Sequence, residues 1–145
     1  MAYVHVGHDT RIDDNVIIAN SVQIGGHVEI NQNAIVGGST PIHQFCKVGS
    51  FSIIGGGLRI VQDIPPYIIA AGEPLKFSGI NSIGLRRNNF SVDDRNIIKK
   101  AYKYIYKSGL NRSEAIKKIE DNFSNIRSIQ TISSFIKSSN RGIIS

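Results

Sequence analysis

Residues 6–60 decide the fold, and they read VGHDTRIDDNVIIANSVQIGGHVEINQNAIVGGSTPIHQFCKVGSFSIIGGGLRI. An aliphatic side chain recurs at every sixth position of this stretch without a miss. The ten positions are Val6, Ile12, Ile18, Ile24, Ile30, Val36, Ile42, Val48, Ile54 and Ile60. A helix, with its period of about 3.6 residues, does not repeat in this way, and neither does an alternating strand. Hexapeptide periodicity is typical of a parallel β-helix.

The repeat predicts a triangular prism in which three hexads make one coil. Residues eighteen apart then stack at about 4.8 Å, the spacing of paired strands. The aliphatic residue of each hexad points inward, and a two-residue corner follows Gly7, Asp13 and their equivalents. Gly, Asn and Asp suit such corners because they tolerate positive φ. Pro65-Pro66 is expected to end the repeat, since proline cannot donate to a strand ladder, and residues 67–71 predict one more strand.

From Ser91 the apolar period becomes helical, and the sequence predicts a small three-helix domain. Ser91 and Asp94 have nearly the pattern of a capping box at the start of the first helix. The second helix is expected to begin at Asn111 or Ser113, and the third to run from about residue 125 to residue 140. The predicted organisation is a β-helix over 1–75, an irregular connection over 76–90 and an α-helical domain over 91–145.

The start of the chain enters the repeat at once, without a capping segment over the first coil. An uncapped end exposes both strand edge and apolar interior. Met1 is therefore expected to be internal to a longer protein, with cover by another chain as the alternative.

The formal net charge of +6 is concentrated in the second half of the chain. Residues 1–75 carry three basic and six acidic side chains, whereas residues 76–145 carry fourteen and five. Such a basic surface is either a solvated helical face or the contact for an acidic macromolecule. Nucleic acid is not favoured, because no aromatic-interleaved binding motif accompanies the charge.

Several classes of protein are excluded by what the sequence does not contain. No apolar run approaches the roughly 20 residues of a membrane span, and no signal-peptide pattern opens the chain. These absences predict no integral membrane contact and a cytoplasmic location. The single cysteine, Cys46, takes an inward position and is expected to be a packed thiol in a reducing compartment. No P-loop, dinucleotide fingerprint or Ser-His-Asp spacing occurs, so no cofactor is predicted.

All four histidines, His5, His8, His27 and His43, lie in the repeat. Counted in blocks of eighteen residues they occupy positions 5, 8, 9 and 7, which places them along one edge of the prism. Imidazole is the usual general base near neutral pH, and a neighbouring carboxylate can orient it. His8-Asp9 is therefore the candidate catalytic pair, although a single corner histidine is more often an ordinary exposed residue. Zinc is a competing use of several histidines, but side chains on successive coils are expected to diverge, so no metal is predicted.

Several segments together resemble a known family. They are His5–Asp9, Gly25–Val28, Val36–Gly38, Ile42–Cys46, Gln62–Tyr67, Asn81 and Gly84–Arg87. The chain resembles the bacterial acyl-[acyl-carrier-protein]–UDP-N-acetylglucosamine O-acyltransferase family, whose members perform the first step of lipid A synthesis. The resemblance spans nearly the whole chain but only the C-terminal portion of the family's usual length.

The resemblance implies a left-handed β-helix with a helical C-terminal domain, assembled as a homotrimer with active sites between neighbouring subunits. His8 matches the general base that takes the proton from the sugar 3-hydroxyl as it attacks the acyl thioester. Asp9 matches the carboxylate that supports this histidine. The matched residues of the substrate groove are His5, Gly26, His27 and Gln44, with Gly26 offering a backbone oxyanion donor. Asn81 and Arg87 match contacts to the nucleotide of UDP-N-acetylglucosamine.

Two further features fit the resemblance. Gly56 matches the position that limits the acyl pocket, and glycine there leaves room for a longer (R)-3-hydroxyacyl chain. The basic helices would face acyl carrier protein, an acidic donor.

The chain also departs from the family's pattern. Asn88 stands where a further arginine is common, the loop Gly72-Glu73-Pro74 differs, and Thr10 replaces a frequent cysteine. The family places a lysine and an aspartate of its active site in coils that precede those present, so we expect these 145 residues alone to have weak or no activity. The alternatives are the related UDP-3-O-acylglucosamine N-acyltransferase, a hexapeptide acetyltransferase that uses acetyl-coenzyme A, and an inactive trimeric scaffold.

Overall fold

The structure is a computed structural model that describes residues 1–145, and the chain divides into two compact units. One unit comprises residues 1–81 together with 139–145, and the other comprises residues 82–138. The strands are β1 (His5–Val6), β2 (Arg11–Ile12), β3 (Ile17–Ile18), β4 (Gln23–Ile24), β5 (Glu29–Ile30), β6 (Ile35–Val36), β7 (Pro41–Ile42), β8 (Lys47–Val48), β9 (Ile53–Ile54), β10 (Ile68–Ala71) and β11 (Lys76–Ile80). The helices are α1 (Ser82–Arg87), α2 (Val92–Lys107), α3 (Arg112–Asn122) and α4 (Arg127–Ser138).

The first unit is a parallel β-solenoid, as the hexapeptide period predicts. Its sheets have the orders β1-β4-β7, β2-β5-β8 and β3-β6-β9-β10-β11, and strands β1 to β9 pair in parallel at a separation of eighteen residues. The inward aliphatic residues of the inner coils, such as Ile30 and Val36, are fully buried. In the first coil Val6 and Ile12 remain 48% and 39% exposed, because no coil stacks on their outer side.

The corners place a left-handed residue at the second of their two positions. Nine successive corners do so with non-glycine residues, at φ between 57° and 66°. These residues are Tyr3, Asp9, Asn15, Ser21, His27, Asn33, Ser39, Phe45 and Phe51. Gly7 precedes its corner, as the repeat predicts, and does not have positive φ. A β-carbon there would lie 2.6 Å from the carbonyl carbon of Gly25, so glycine permits the close approach of two coils.

The repeat continues past Pro65-Pro66, so the prediction that these prolines end it is wrong. Val48 bridges Ile64 at a separation of sixteen residues instead of eighteen, which shortens the fourth coil by two residues. The prolines are accommodated because the flanking N–H groups carry the ladder: Ile64 donates to Lys47 and Tyr67 donates to Ser50. The predicted further strand is confirmed as β10, which pairs in parallel with β9.

Segment 76–90 was expected to be irregular, but it contains β11 and α1. β11 pairs antiparallel with β10, because the loop after Ala71 turns the chain back onto the open edge of that strand. Covering an edge in this way removes exposed backbone groups. The helical region consequently contains four helices, the first of them a short one that buries Leu85.

The last seven residues return to the solenoid unit, which the sequence did not indicate. Ile143 bridges Asp63 in parallel. The carboxylate of Asp63, 1% exposed, accepts a hydrogen bond from the Lys47 N–H at 2.8 Å and another from the Ser139 hydroxyl. The Asp63 carboxylate thus accepts the hydrogen bond of the Lys47 N–H, because the shortened coil moves the backbone carbonyl that would otherwise accept it.

The second unit is built from three of the helices that the apolar stripes predict, together with α1. α2 begins at a capping box: the Ser91 hydroxyl accepts from the Asp94 N–H at 3.0 Å, and the Asp94 carboxylate accepts from the Ser91 N–H at 3.2 Å. Asn111 caps α3. The apolar core of the second unit includes Ile98, Tyr102, Ile105, Ile116, Ile119, Ile129 and Ile132. None of the four helices is long and apolar enough to cross a membrane.

Candidate functional site

The candidate site follows one edge of the solenoid, between the sheet that starts with β1 and the sheet that starts with β2. The corners at 7–10, 25–28 and 43–46 stack along this edge. Backbone bonds hold them in register: the His27 N–H donates to the His8 carbonyl at 2.9 Å, and the Phe45 N–H donates to the Gly26 carbonyl at 3.0 Å. The corner residues therefore stack in two columns. One consists of His8, Gly26 and Gln44, and the other of Asp9, His27 and Phe45.

His8 and Asp9 form a hydrogen-bonded pair on the first of these corners. Nδ1 of His8 lies 3.0 Å from Oδ2 of Asp9. This hydrogen bond, and after it the charge of His27, lower the pKa of the Asp9 carboxyl below its ordinary value. An ionised Asp9 accepts only, so Nδ1 of His8 carries the proton and Nε2 presents a lone pair. The pair therefore has the arrangement that a general base requires.

His27 joins this pair from the next coil. Its Nε2 lies 3.7 Å from the same Oδ2 of Asp9, and its ring meets the ring of His8 edge-on, with centroids 5.0 Å apart. On its other side the ring is stacked on Phe45, with centroids 4.8 Å apart and an interplanar angle of 8°. Asp9 is thus shared by two imidazoles, and Phe45 supports the second.

Gly26 leaves room for the imidazole ring of His8. A β-carbon on Gly26 would meet Nε2, Cε1 and Cδ2 of His8, and no other atom comes as near. These distances place the β-carbon over the face of the imidazole, so glycine lets the His8 ring lie against the next coil.

The other predicted groove residues are not part of the group formed by His8, Asp9 and His27. Gln44 is exposed on the same edge, two coils from His8, and His5 is exposed on the β1 face beside Gln23. Gly56 lies on a different edge. A β-carbon added to it would lie 3.1 Å from the carbonyl oxygen of Gly38. Within one chain, Gly56 is therefore not part of the His8 site.

The two predicted nucleotide contacts lie outside this edge. Asn81 is 4% exposed, and its side-chain amide donates to the Phe51 carbonyl at 2.9 Å. Its backbone N–H donates to the Tyr67 carbonyl at 2.8 Å. Arg87 is exposed at the end of α1 in the helical unit. Nucleotide contacts by Asn81 and Arg87 stay predictions.

Cys46 is buried and inward, as its place in the repeat predicts. Burial raises the pKa of its thiol to about 11, which disfavours the thiolate that a nucleophile needs.

The convergence of His8, Asp9 and His27 corrects one expectation from the sequence. Side chains on successive coils were expected to diverge, yet one ligand-type atom from each of these three lies within 4.8 Å of the others. They converge because Asp9 and His27 occupy the same left-handed position on stacked corners. The count by eighteens also places Phe45 on this edge, but no role in the site was predicted for it from the sequence.

Comparison with known proteins relates the whole chain to one enzyme family. The family model described as UDP N-acetylglucosamine O-acyltransferase, domain 2, matches residues 63–144. An acyl-[acyl-carrier-protein]–UDP-N-acetylglucosamine O-acyltransferase from Fusobacterium nucleatum is 52% identical over 99% of this chain and 56% of its own length. A protein of the same name from Thermodesulfovibrio yellowstonii is 47% identical over 99% of this chain and 55% of its own length.

Solved structures give the same relationship. A UDP-N-acetylglucosamine acyltransferase from Bacteroides fragilis superimposes with a TM-score of 0.95 at 47% identity, covering 98% of this chain and 56% of that one. The enzyme from Francisella novicida gives a TM-score of 0.90 at 34% identity, covering 99% of this chain and 53% of that one. The chain therefore spans about half the length of the relatives it matches.

Proposed function

The chain belongs to the UDP-N-acetylglucosamine O-acyltransferase family, and from this we propose that its solenoid edge carries the general base for acyl transfer. The reaction would move an (R)-3-hydroxyacyl chain from acyl carrier protein to the 3-hydroxyl of UDP-N-acetylglucosamine, the first step of lipid A synthesis. The observation that carries the proposal is the His8-Asp9 pair, in which Nδ1 is hydrogen-bonded to the carboxylate and Nε2 is left to accept a proton.

The proposed reaction needs one proton acceptor and one site for developing charge. Nε2 of His8 takes the proton of the sugar 3-hydroxyl as that oxygen bonds to the thioester carbonyl carbon. Asp9 stabilises the imidazolium that results. The tetrahedral oxyanion then re-forms the carbonyl, the C–S bond breaks, and the proton on Nε2 passes to the departing thiolate. A backbone N–H near Gly26 is the proposed oxyanion donor, and Gln44 and His5 are proposed to line the groove.

We also infer a homotrimer, because one chain spreads the proposed site residues over separate edges of its prism. His8 lies on the first edge, the Asn81–Phe51 contact on the second and Gly56 on the third. A groove between two neighbouring prisms would combine edges from different chains and seat the acyl chain against Gly56. Sedimentation tests this inference: a trimeric mass is expected, and a monomer at assay concentration contradicts it.

The helical unit carries the basic side chains that would bind the proposed acyl donor, acyl carrier protein. Lys100, Lys103 and Lys107 share one groove of about 380 Å³ with Tyr104 and Phe123. Complementary charge accelerates association with an acidic partner such as acyl carrier protein. Lys103→Glu should raise KM for the carrier protein, and Lys118→Glu on the same unit is the control. A cytoplasmic location follows from the two proposed substrates.

The decisive experiment measures acylated sugar nucleotide by mass spectrometry after long incubation, since weak turnover is expected. Product that forms from UDP-N-acetylglucosamine and (R)-3-hydroxyacyl carrier protein, disappears in His8→Ala and persists in His43→Ala supports the proposal. His43 is an exposed histidine of the same edge and lies outside the hydrogen-bonded group. Turnover only with acetyl-coenzyme A, only with UDP-3-O-acylglucosamine, or with none of these substrates would favour the alternative enzymes or a scaffold.

A further inference from the structure

We propose that His8, Asp9 and His27 form a binding site for one zinc ion, and that zinc bound there prevents His8 from acting as a base. The binding half of this inference stands on geometry alone. The inhibitory half rests on the proposed function.

The geometry of the three side chains is close to that of a zinc site. Zinc bonds of about 2.0–2.1 Å in a tetrahedral arrangement place ligand atoms roughly 3.3–3.4 Å apart. The two distances from Oδ2 of Asp9 are 3.0 Å to Nδ1 of His8 and 3.7 Å to Nε2 of His27, on either side of this value. The separations within the group reach up to 4.8 Å, so side-chain rotations that close the widest gap by up to about 1.4 Å complete the site.

The surroundings permit those rotations and hold one ligand still. The side chains of His8 and Asp9 are 76% and 69% exposed, so they can turn toward an ion and leave water as its fourth ligand. His27 is held by the stack on Phe45, so one imidazole is already oriented. No Lys or Arg forms an ion pair with Asp9, so only the two imidazoles interact with its carboxylate.

The donor set selects the class of metal. Two imidazole nitrogens and one carboxylate suit zinc, whereas magnesium and calcium prefer oxygen ligands. Three protein ligands with one open position are the usual count for a zinc ion that keeps a bound water.

Zinc at this place changes which nitrogen of His8 is protonated. Without the ion, Nδ1 carries the proton and donates it to Asp9, and Nε2 has a lone pair. When Nδ1 binds zinc, the neutral ring carries its proton on Nε2 instead, and the proton count of the ring is unchanged. Nε2 then donates and no longer accepts the proton of a substrate hydroxyl. Zinc therefore removes the base without altering the fold.

Calorimetry with zinc chloride tests the site on the untagged chain, since a histidine tag would bind the metal. We expect one zinc per chain, with affinity lowered at least tenfold in His27→Ala and in His8→Ala. His43→Ala is the matched control, and its affinity should equal that of the parent chain. Cobalt substitution should give the visible absorption bands of a tetrahedral ion. Equal affinity in all variants, or loss of binding in His43→Ala alone, would overturn the site.

The inhibitory half has two separate readouts. Zinc should abolish turnover, and a chelator should restore it. Long-range ¹H–¹⁵N spectra should show the His8 proton moving from Nδ1 to Nε2 on metal binding, whether or not the chain turns over. Full turnover at saturating zinc, or no change of tautomer, overturns this half. A chain that binds zinc as described but has no acyltransferase activity contradicts the proposed function and leaves the metal site standing.

Discussion

A β-carbon on Gly26 would lie 2.9 Å from Nε2 of His8, closer than a carbon and a nitrogen pack. The glycine therefore leaves room for the imidazole ring, which packs over it while Nδ1 is paired with Asp9. We expect Gly26→Ala to lower acyl transfer on the order of tenfold to a hundredfold, because the methyl group displaces the imidazole from its place beside Asp9. Steady-state rates with saturating substrate measure the effect.

The matched control for Gly26→Ala is Gly38→Ala, at the same repeat position on another edge. The nearest atom to a β-carbon on Gly38 is the carbonyl oxygen of Asn20 at 3.4 Å, an ordinary contact. Neither glycine has positive φ, so both variants should fold and melt like the parent chain. Full activity in Gly26→Ala would show that acyl transfer does not depend on the present position of the His8 ring.

The stack of Phe45 on His27 predicts a graded effect of ring replacement. Phe45→Leu keeps apolar bulk but loses the stack, whereas Phe45→Tyr keeps it. Aromatic pairs contribute about 0.5–1.5 kcal/mol, so Phe45→Leu should lower kcat/KM roughly 2- to 10-fold through a less ordered His27. Phe45→Tyr should be close to the parent chain. Equal losses in the two variants would show that bulk, and not ring stacking, matters.

The carboxyl of Asp9 predicts an order of pKa changes. The His8 hydrogen bond lowers its pKa most and the His27 charge comes second, so His8→Ala should raise the Asp9 pKa more than His27→Ala does. Because the folded pKa is the lower one, the stability that Asp9 contributes is present above the ordinary value of 3.8 and is lost as the pH falls through the folded value. ¹³C titration of the carboxyl carbon measures both variants, and the reverse order contradicts the assigned causes.

Much of the solenoid follows from the sequence because its determinants are local. Inward residues such as Ile30 and Val36 are fixed by a period of six, and residues eighteen apart then pair without further information. The fourth coil and the C-terminal return do not follow in this way. Asp63 meets Ser139 across seventy-six residues of chain, and nothing in either local sequence signals the contact.

The site was predictable to the level of the edge but not of the atoms. Counting by eighteens places His8, Asp9 and His27 together, yet their convergence depends on the left-handed backbone of two corners. Histidine is enriched in that conformation and the period of six locates the corner at His27, but neither fixes the direction in which the side chain points. The burial of Asn81 likewise arises from a pairing between distant segments.

The hydrogen bonds of Asp63 predict that substitution of this residue destabilises the solenoid unit. Its buried carboxylate accepts from the Lys47 N–H and the Ser139 hydroxyl, so Asp63→Ala removes both acceptors at once. Loss of buried partners costs about 1–3 kcal/mol, and we expect a decrease of that size in the free energy of unfolding. Urea titration followed by circular dichroism measures it.

Two further variants separate the bonds of Asp63. Asp63→Asn retains one carbonyl-type oxygen for the Lys47 N–H and should lose less stability than Asp63→Ala. Ser139→Ala removes only the contact from the C-terminal return and should cost about 0.5–1.5 kcal/mol. Because Ser139 acts through Asp63, the double variant Asp63→Ala/Ser139→Ala should be no less stable than Asp63→Ala alone. Additive losses would mean that Ser139 stabilises the return through another partner.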